Sequence, residues 1–118
     1  MKRFLSILPA GIFLFFLAGC GKAPPKTNAE LRLNAQQARG RRIFQMRCAS
    51  CHHAYSSSGS MGPSLHKLFR RRYLPSGLPA NDRFVEGTIV NGRGMMPAAG
   101  GDLTEQQLAD LLAYLHTL

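Results

Sequence analysis

Apolar positions along this chain fall into one dense block followed by three spaced stripes. The block covers residues 4–18, broken by Ser6 and Pro9, and follows Lys2-Arg3. It is too short to span a bilayer comfortably and has the layout of an export-signal core. Beyond it the spacing turns helical. A first helix is predicted over about 34–47. Asn34 caps it, Gln37 completes a capping box, and Gly40, Ile43 and Phe44 share one face. A short helical piece follows Pro63 through Leu65, Leu68 and Phe69. A further helix fits about 81–91, with Phe84, Val85, Thr88 and Ile89 on one side and a stop at Asn91-Gly92. The last helix is the clearest. Thr104 caps it, Gln107 closes a second capping box, Leu103 can staple to Leu108, and Leu108, Leu111, Leu112, Leu115 and Leu118 form its stripe. The connections are a serine-rich loop at 56–60, a Pro/Gly turn at 74–79 and a Gly/Met/Pro loop at 92–101. No segment alternates as a strand would, so the domain reads as all-α.

The apolar block ends in Leu17-Ala18-Gly19-Cys20, which resembles the bacterial lipobox, whose cysteine becomes the lipidated first residue of the mature protein. Three regions follow: a lipoprotein signal at 1–19, lipidated Cys20 with a flexible tether at 20–33, and a folded domain at 34–118. This places the domain outside the cytoplasm, facing the periplasm or cell exterior and held to a membrane by lipid.

The 118 residues leave fewer than a hundred for folding, a size at which a staple or a large apolar cofactor often supplements the core. Hydrophobic residues make up 45% and charged residues 18%, a globular composition. The formal charge is +9, and losing Lys2 and Arg3 from the fifteen basic residues leaves thirteen against six acidic ones, or +7. No nucleic-acid motif accompanies that charge, so it points to an acidic protein partner or an anionic membrane. The densest positive run is Arg70-Arg71-Arg72 with Lys67, and Arg39, Arg41, Arg42 and Arg47 of the first helix are expected to add to it.

Three cysteines are an awkward number for a disulfide scaffold. With Cys20 assigned to lipid, Cys48-Ala49-Ser50-Cys51-His52 remains, the attachment pattern of covalent haem c. Two thiols three positions apart can add to the two vinyl groups of one porphyrin, and the adjacent His52 imidazole then meets the iron. A thioredoxin-like pair would need a βαβ setting, and a zinc site would need paired ligand sets that His53, His66 and His116 do not supply. An electron-transfer haem takes a sixth ligand, and methionine is the donor that raises the potential. Met46 precedes the attachment site and Met61 lies on its proximal side. Met95 and Met96 remain, in a glycine-flanked loop before Pro97. A residue before proline avoids the α region, which holds Met96 extended and favours it over Met95.

Taken together, the domain resembles the small mono-haem cytochrome c family across residues 34–118. Gly40-Arg41-Arg42-Ile43-Phe44, Cys48 to His52, Gly62-Pro63-Ser64-Leu65-His66-Lys67-Leu68-Phe69 and Met96-Pro97 with Ala113-Tyr114-Leu115 occur in the family's order. The resemblance implies crossed N- and C-terminal helices around one covalent haem c. It implies Gly40 at the crossing, Phe44 near Leu111 and Tyr114, and His52 and Met96 as axial ligands. It also implies a Pro63 carbonyl bonded to the other ring nitrogen of His52. The chain has no tryptophan to meet a haem propionate, which leaves Arg93, Tyr73 and Asn91 as candidates. The function implied is an electron carrier with no small-molecule substrate and no catalysis of its own, serving a redox protein partner. The alternative is a cytochrome c subunit of a larger oxidoreductase complex.

Overall fold

A computed structural model describes residues 25–118. The expected signal, Cys20 and the first part of the tether lie outside these residues. Within them the fold is all-α: α1 (Ala35–Arg47), a 3-10 turn (Leu68–Arg70), α2 (Asp82–Asn91) and α3 (Glu105–Leu115). The described residues hold no strand, only isolated bridges at Tyr73 with Pro79 and Arg93 with Met96.

Each helix begins where a side chain can satisfy its free N–H groups. Asn34 and Gln37 close a reciprocal capping box on α1, as Thr104 and Gln107 do on α3, and Asn81 accepts the Phe84 N–H at the start of α2. The 3-10 turn begins later than the spacing after Pro63 predicts, because Lys67 sits at φ +57° and breaks any continuous helix there. α3 also stops at Leu115. Leu118 lies beyond it, half-buried, with its carbonyl accepting the Lys67 N–H at 3.1 Å.

α1 and α3 cross at Gly40. A Cβ there would stand 1.8 Å from the Asp110 carbonyl oxygen and 2.9 Å from Tyr114 Cβ, so only glycine permits this approach. Phe44 and Tyr114 pack beside it with ring centroids 5.5 Å apart. Ile43, Phe44, Leu111, Tyr114 and Leu115 form the centre of the core, joined by Leu68 and by Val85 and Ile89 of α2.

The structure redistributes the positive charge. Arg39 forks onto Asp110 at 2.7 and 3.0 Å, with the Asp110 side chain only 4% exposed. That hydrogen bond, with help from Gln106, holds the Asp110 carboxyl below the usual range against the opposing effect of burial. Arg47 pairs with Asp102 at 2.9 Å, and Arg41 is buried. Three of the four arginines expected to extend the basic run from α1 therefore have internal partners: Arg39 and Arg47, though exposed, pair with carboxylates, and Arg41 is buried. Part of the stretch expected as a flexible tether is ordered. From Thr27 the chain is folded into hydrogen-bonded turns, with Leu31 N–H on the Thr27 carbonyl and Leu33 N–H on the Asn28 carbonyl.

Candidate functional site

The Cys48–His52 segment continues the end of α1 as a wound turn. Cys48 and Ala49 both donate to the Phe44 carbonyl, and Cys51 and His52 N–H groups return to the Cys48 carbonyl at 3.0 and 2.9 Å. Both cysteines are half-buried free thiols. Burial pushes the Cys48 thiol up to about 11, with Arg47 opposing and Cys51 reinforcing the shift. At neutral pH it is therefore a thiol rather than the thiolate that metal ligation or disulfide exchange uses. Among the described residues no three His, Cys, Asp or Glu side chains gather as a metal cluster.

The His52 ring is fixed from two sides. Its Nδ1–H donates to the Pro63 carbonyl at 2.8 Å. A carbonyl can only accept, so this contact sets the tautomer and leaves Nε2 with its lone pair. On the other side lies Gly62. A Cβ there would fall 2.5 Å from His52 Cε1 and 2.8 Å from Nδ1, so the imidazole occupies the space a side chain would take. Gly62 N–H also donates to the Cys51 carbonyl at 2.9 Å, tying the two ends of the loop together. The sequence motif contained Gly62, but its service to the ring depends on a fold-back of ten residues that local spacing does not reveal.

The Met loop leaves the end of α2. Gly92 caps the helix at φ +70°, and a Cβ there would strike the Met96 carbonyl oxygen at 2.6 Å. Arg93 and Met96 then exchange hydrogen bonds at 3.0 and 2.9 Å, enclosing Gly94 at φ +57° and Met95 in a two-residue hairpin. Ala99 and Gly100 N–H groups return to the Ile89 and Val90 carbonyls. This hairpin separates the adjacent methionines. Met95 is 90% exposed, whereas Met96 is half-buried and packs against the core, as Cys48 does. Met46 and Met61 are exposed. Beside the loop an open cleft of about 300 Å³ is lined by Leu78, Phe84, Thr88, Asn91 and Arg93, among others. It brings two of the three propionate candidates to one rim, while Tyr73 bridges to Pro79 instead. Asn91 spends its amide on the Gly87 carbonyl at 2.8 Å.

The donor set fits a covalent haem: two unpaired thiols at the right spacing, an imidazole with one nitrogen tied back and one free, and one inward methionine. The profile of the family described as cytochrome c oxidase, cbb3-type, subunit III matches residues 35–115. The chain belongs to the cytochrome c family. It is 31% identical to a cytochrome c6-like protein of Nostoc sp. over 98% of this chain and 92% of that one. It is 32% identical to a cytochrome c-553-like protein of Synechocystis sp. over 97% and 94%. A cytochrome c6 of Nostoc sp. is 30% identical over 98% and 92%. This cytochrome thus carries one covalently bound haem c and is an electron carrier rather than an enzyme. No helix among the described residues is long and apolar enough to cross a membrane.

The fold also places side chains whose pairing sequence reading missed. The Tyr55 hydroxyl meets the Tyr114 hydroxyl at 2.9 Å, linking the attachment loop to the helix crossing. Burial and this hydrogen bond push the Tyr114 phenol upward, so it stays neutral.

Proposed function

We propose that this cytochrome moves single electrons through an iron held by His52 Nε2 and Met96. In this reading Cys48 and Cys51 are the thioether sulfurs and Cys20 carries the membrane lipid. The observation that carries the reading is the 2.8 Å bond from His52 Nδ1 to the Pro63 carbonyl, which presents Nε2 as the free donor. The haem, when bound, supplies a one-electron Fe(III)/Fe(II) couple. The protein's part is to hold ligands that do not move. Pro63 fixes the ring's orientation and tautomer. The Arg93–Met96 hairpin holds the thioether inward, and Gly92 gives the loop its close return to α2.

The partner in this reading is an acidic redox protein. Lys67, Arg70 and Arg72 are exposed on one short segment, while the Arg71 guanidinium donates to the His66 carbonyl at 2.7 Å and braces the loop from within. Such a patch steers encounter and permits fast release. The domain works outside the cytoplasm at a membrane surface. A second reading, a subunit of a larger membrane oxidoreductase, is favoured by the cbb3-type profile over residues 35–115. Stable co-purification with membrane oxidoreductase polypeptides selects it over the free carrier.

The decisive test of ligation uses carbon monoxide on the reduced haem protein. The unmodified chain is expected to stay inert, and Met96→Ala to bind stoichiometrically. Rapid, stoichiometric binding by the unmodified chain removes Met96 as ligand.

A further inference from the structure

The fold buries a cation that electron transfer does not use. Arg41 is 8% exposed and lies beside the Tyr114 hydroxyl, and the two acceptors that hold its guanidinium among the described residues precede the helical domain. One guanidinium nitrogen donates to Asn28 Oδ1 at 2.7 Å, and another donates to the Lys26 carbonyl. A buried guanidinium met by neutral acceptors is costly, so its return must be the fixed position of the chain it grips. That chain is built to be gripped. Thr27 N–H and hydroxyl donate to the Glu30 carboxylate at 2.6 and 2.9 Å. Glu30 N–H returns to the Thr27 hydroxyl at 3.2 Å. Arg32 takes φ +52° to complete the turn, and Leu33 packs against the core.

We infer that Arg41 locks the lead-in onto the domain, so that lipid at Cys20 holds the face carrying Lys26 and Asn28 against the membrane surface. The inference rests on the lipoprotein reading above and adds an orientation to it. Covalent geometry sets the scale. Six residue steps separate Cys20 from Lys26, a reach of at most about 20 Å, whereas thirteen steps to Leu33 would allow about 45 Å. The lock therefore halves the leash and fixes where it leaves the domain. The exit is also cationic: the described residues there include exposed Lys26 and Arg32, with Glu30 as the acidic group, and Lys22 precedes them in the sequence. This suits anionic headgroups within a Debye length of about 8 Å. The ligated surface is thereby presented at one height above the bilayer, to a partner that is itself at the membrane.

The test is linear dichroism of the haem absorption, with the full lipidated protein in oriented bilayers of phosphatidylcholine and phosphatidylglycerol. The unmodified protein is expected to be dichroic. A spacer of about twelve Gly/Ser residues inserted between Pro25 and Lys26 leaves the described contacts intact and is expected to abolish the dichroism. An isotropic signal from lipidated, unmodified protein overturns the inference, as does dichroism that survives the spacer. Mass spectrometry that finds Cys20 without lipid instead overturns the lipoprotein reading itself, and the orientation with it. The lock is tested separately with trypsin on the membrane-bound protein. Asn28→Ala and Arg41→Ala are each expected to speed cleavage after Lys26 and Arg32 about fivefold to tenfold. Asn28→Ala lies at an exposed position and keeps the test valid where Arg41→Ala does not fold. Unchanged cleavage in Asn28→Ala overturns the lock.

Discussion

Where α1 crosses α3, two helices meet through a missing side chain. Gly40 lies against the Asp110 carbonyl, Phe44 against Tyr114, and Arg39 forks onto the Asp110 carboxylate. Where α2 meets the rest, the contacts are sparser. Val85 and Ile89 enter the core, two backbone bonds return from Ala99 and Gly100, and one side-chain pair joins Asp82 to His116. The first junction carries the attachment turn on the end of α1. The second carries Met96. In the proposed ligation, the protein thus anchors its covalent and imidazole ligands to its strongest packing and its methionine to its lightest. A tight crossing keeps the proximal geometry constant, while the Met loop keeps its shape through its own hairpin rather than through bulk packing.

The largest effect is expected at the crossing. Gly40→Ala forces a methyl group into the Asp110 backbone, which a rotamer change cannot relieve. A loss of about 3 kcal/mol or more follows, at the upper end of overpacking, read by denaturant unfolding of the haem protein. A loss under about 1 kcal/mol would show that the helices can separate cheaply and would erase the contrast between the junctions.

The second largest effect belongs to the Met loop. Gly92→Ala places a side chain at φ +70° and within 2.6 Å of the Met96 carbonyl oxygen. The strain is about 1–3 kcal/mol, and it is expected to appear as loss of the iron–sulfur charge-transfer absorption before global unfolding. If absorption and global unfolding shift together, the loop is not an independent unit.

The capping boxes and the Cys-His turn were legible in the sequence because each is set within a few neighbouring residues, whereas Gly40 at the crossing was implied by the family resemblance alone. Asn34 with Gln37 and Thr104 with Gln107 need only a three-residue spacing. Arg39 and Asp110 are 71 residues apart and Arg47 and Asp102 are 55 apart, so no window could pair them. Reading the arginines of α1 as one exposed run therefore overstated the free charge. The same limit hid Gly62 beneath His52 and Tyr55 on Tyr114. Charge counted along a chain says little about charge on a surface until the partners are placed.

Asp110 gives a smaller effect with a pH signature. Its folded carboxyl lies below its unfolded value because Arg39 bonds the ionised form, so it contributes stability above the unfolded pKa that is lost as pH falls through the folded one. Asp110→Asn is expected to lower the melting temperature at neutral pH and to match the unmodified protein more closely in acid. A constant difference across that window would mean that Asp110 acts through its shape and its bond to Gln106, not its charge.

The smallest effect lies at the thin junction. His116 Nε2 meets Asp82 Oδ1 at 2.7 Å, and the His116 ring stacks on Phe69 with centroids 3.8 Å apart. The two partners of this contact are 47% and 60% exposed, so screening leaves at most about 1 kcal/mol in it. His116→Ala is therefore expected to leave global unfolding almost unchanged. The pair nonetheless joins the end of α3 to the first residue of α2, the helix whose other end holds the Met loop. If α2 moves as a unit, the same small loss raises the population of methionine-free iron by up to about fivefold, since 1.4 kcal/mol is tenfold. Carbon monoxide uptake by the reduced protein measures that population directly. A rise without loss of global stability would show that the Met96 side opens through α2. An unchanged rate would confine the opening to the hairpin between Gly92 and Pro97 and make the α2 junction firmer than its few contacts indicate.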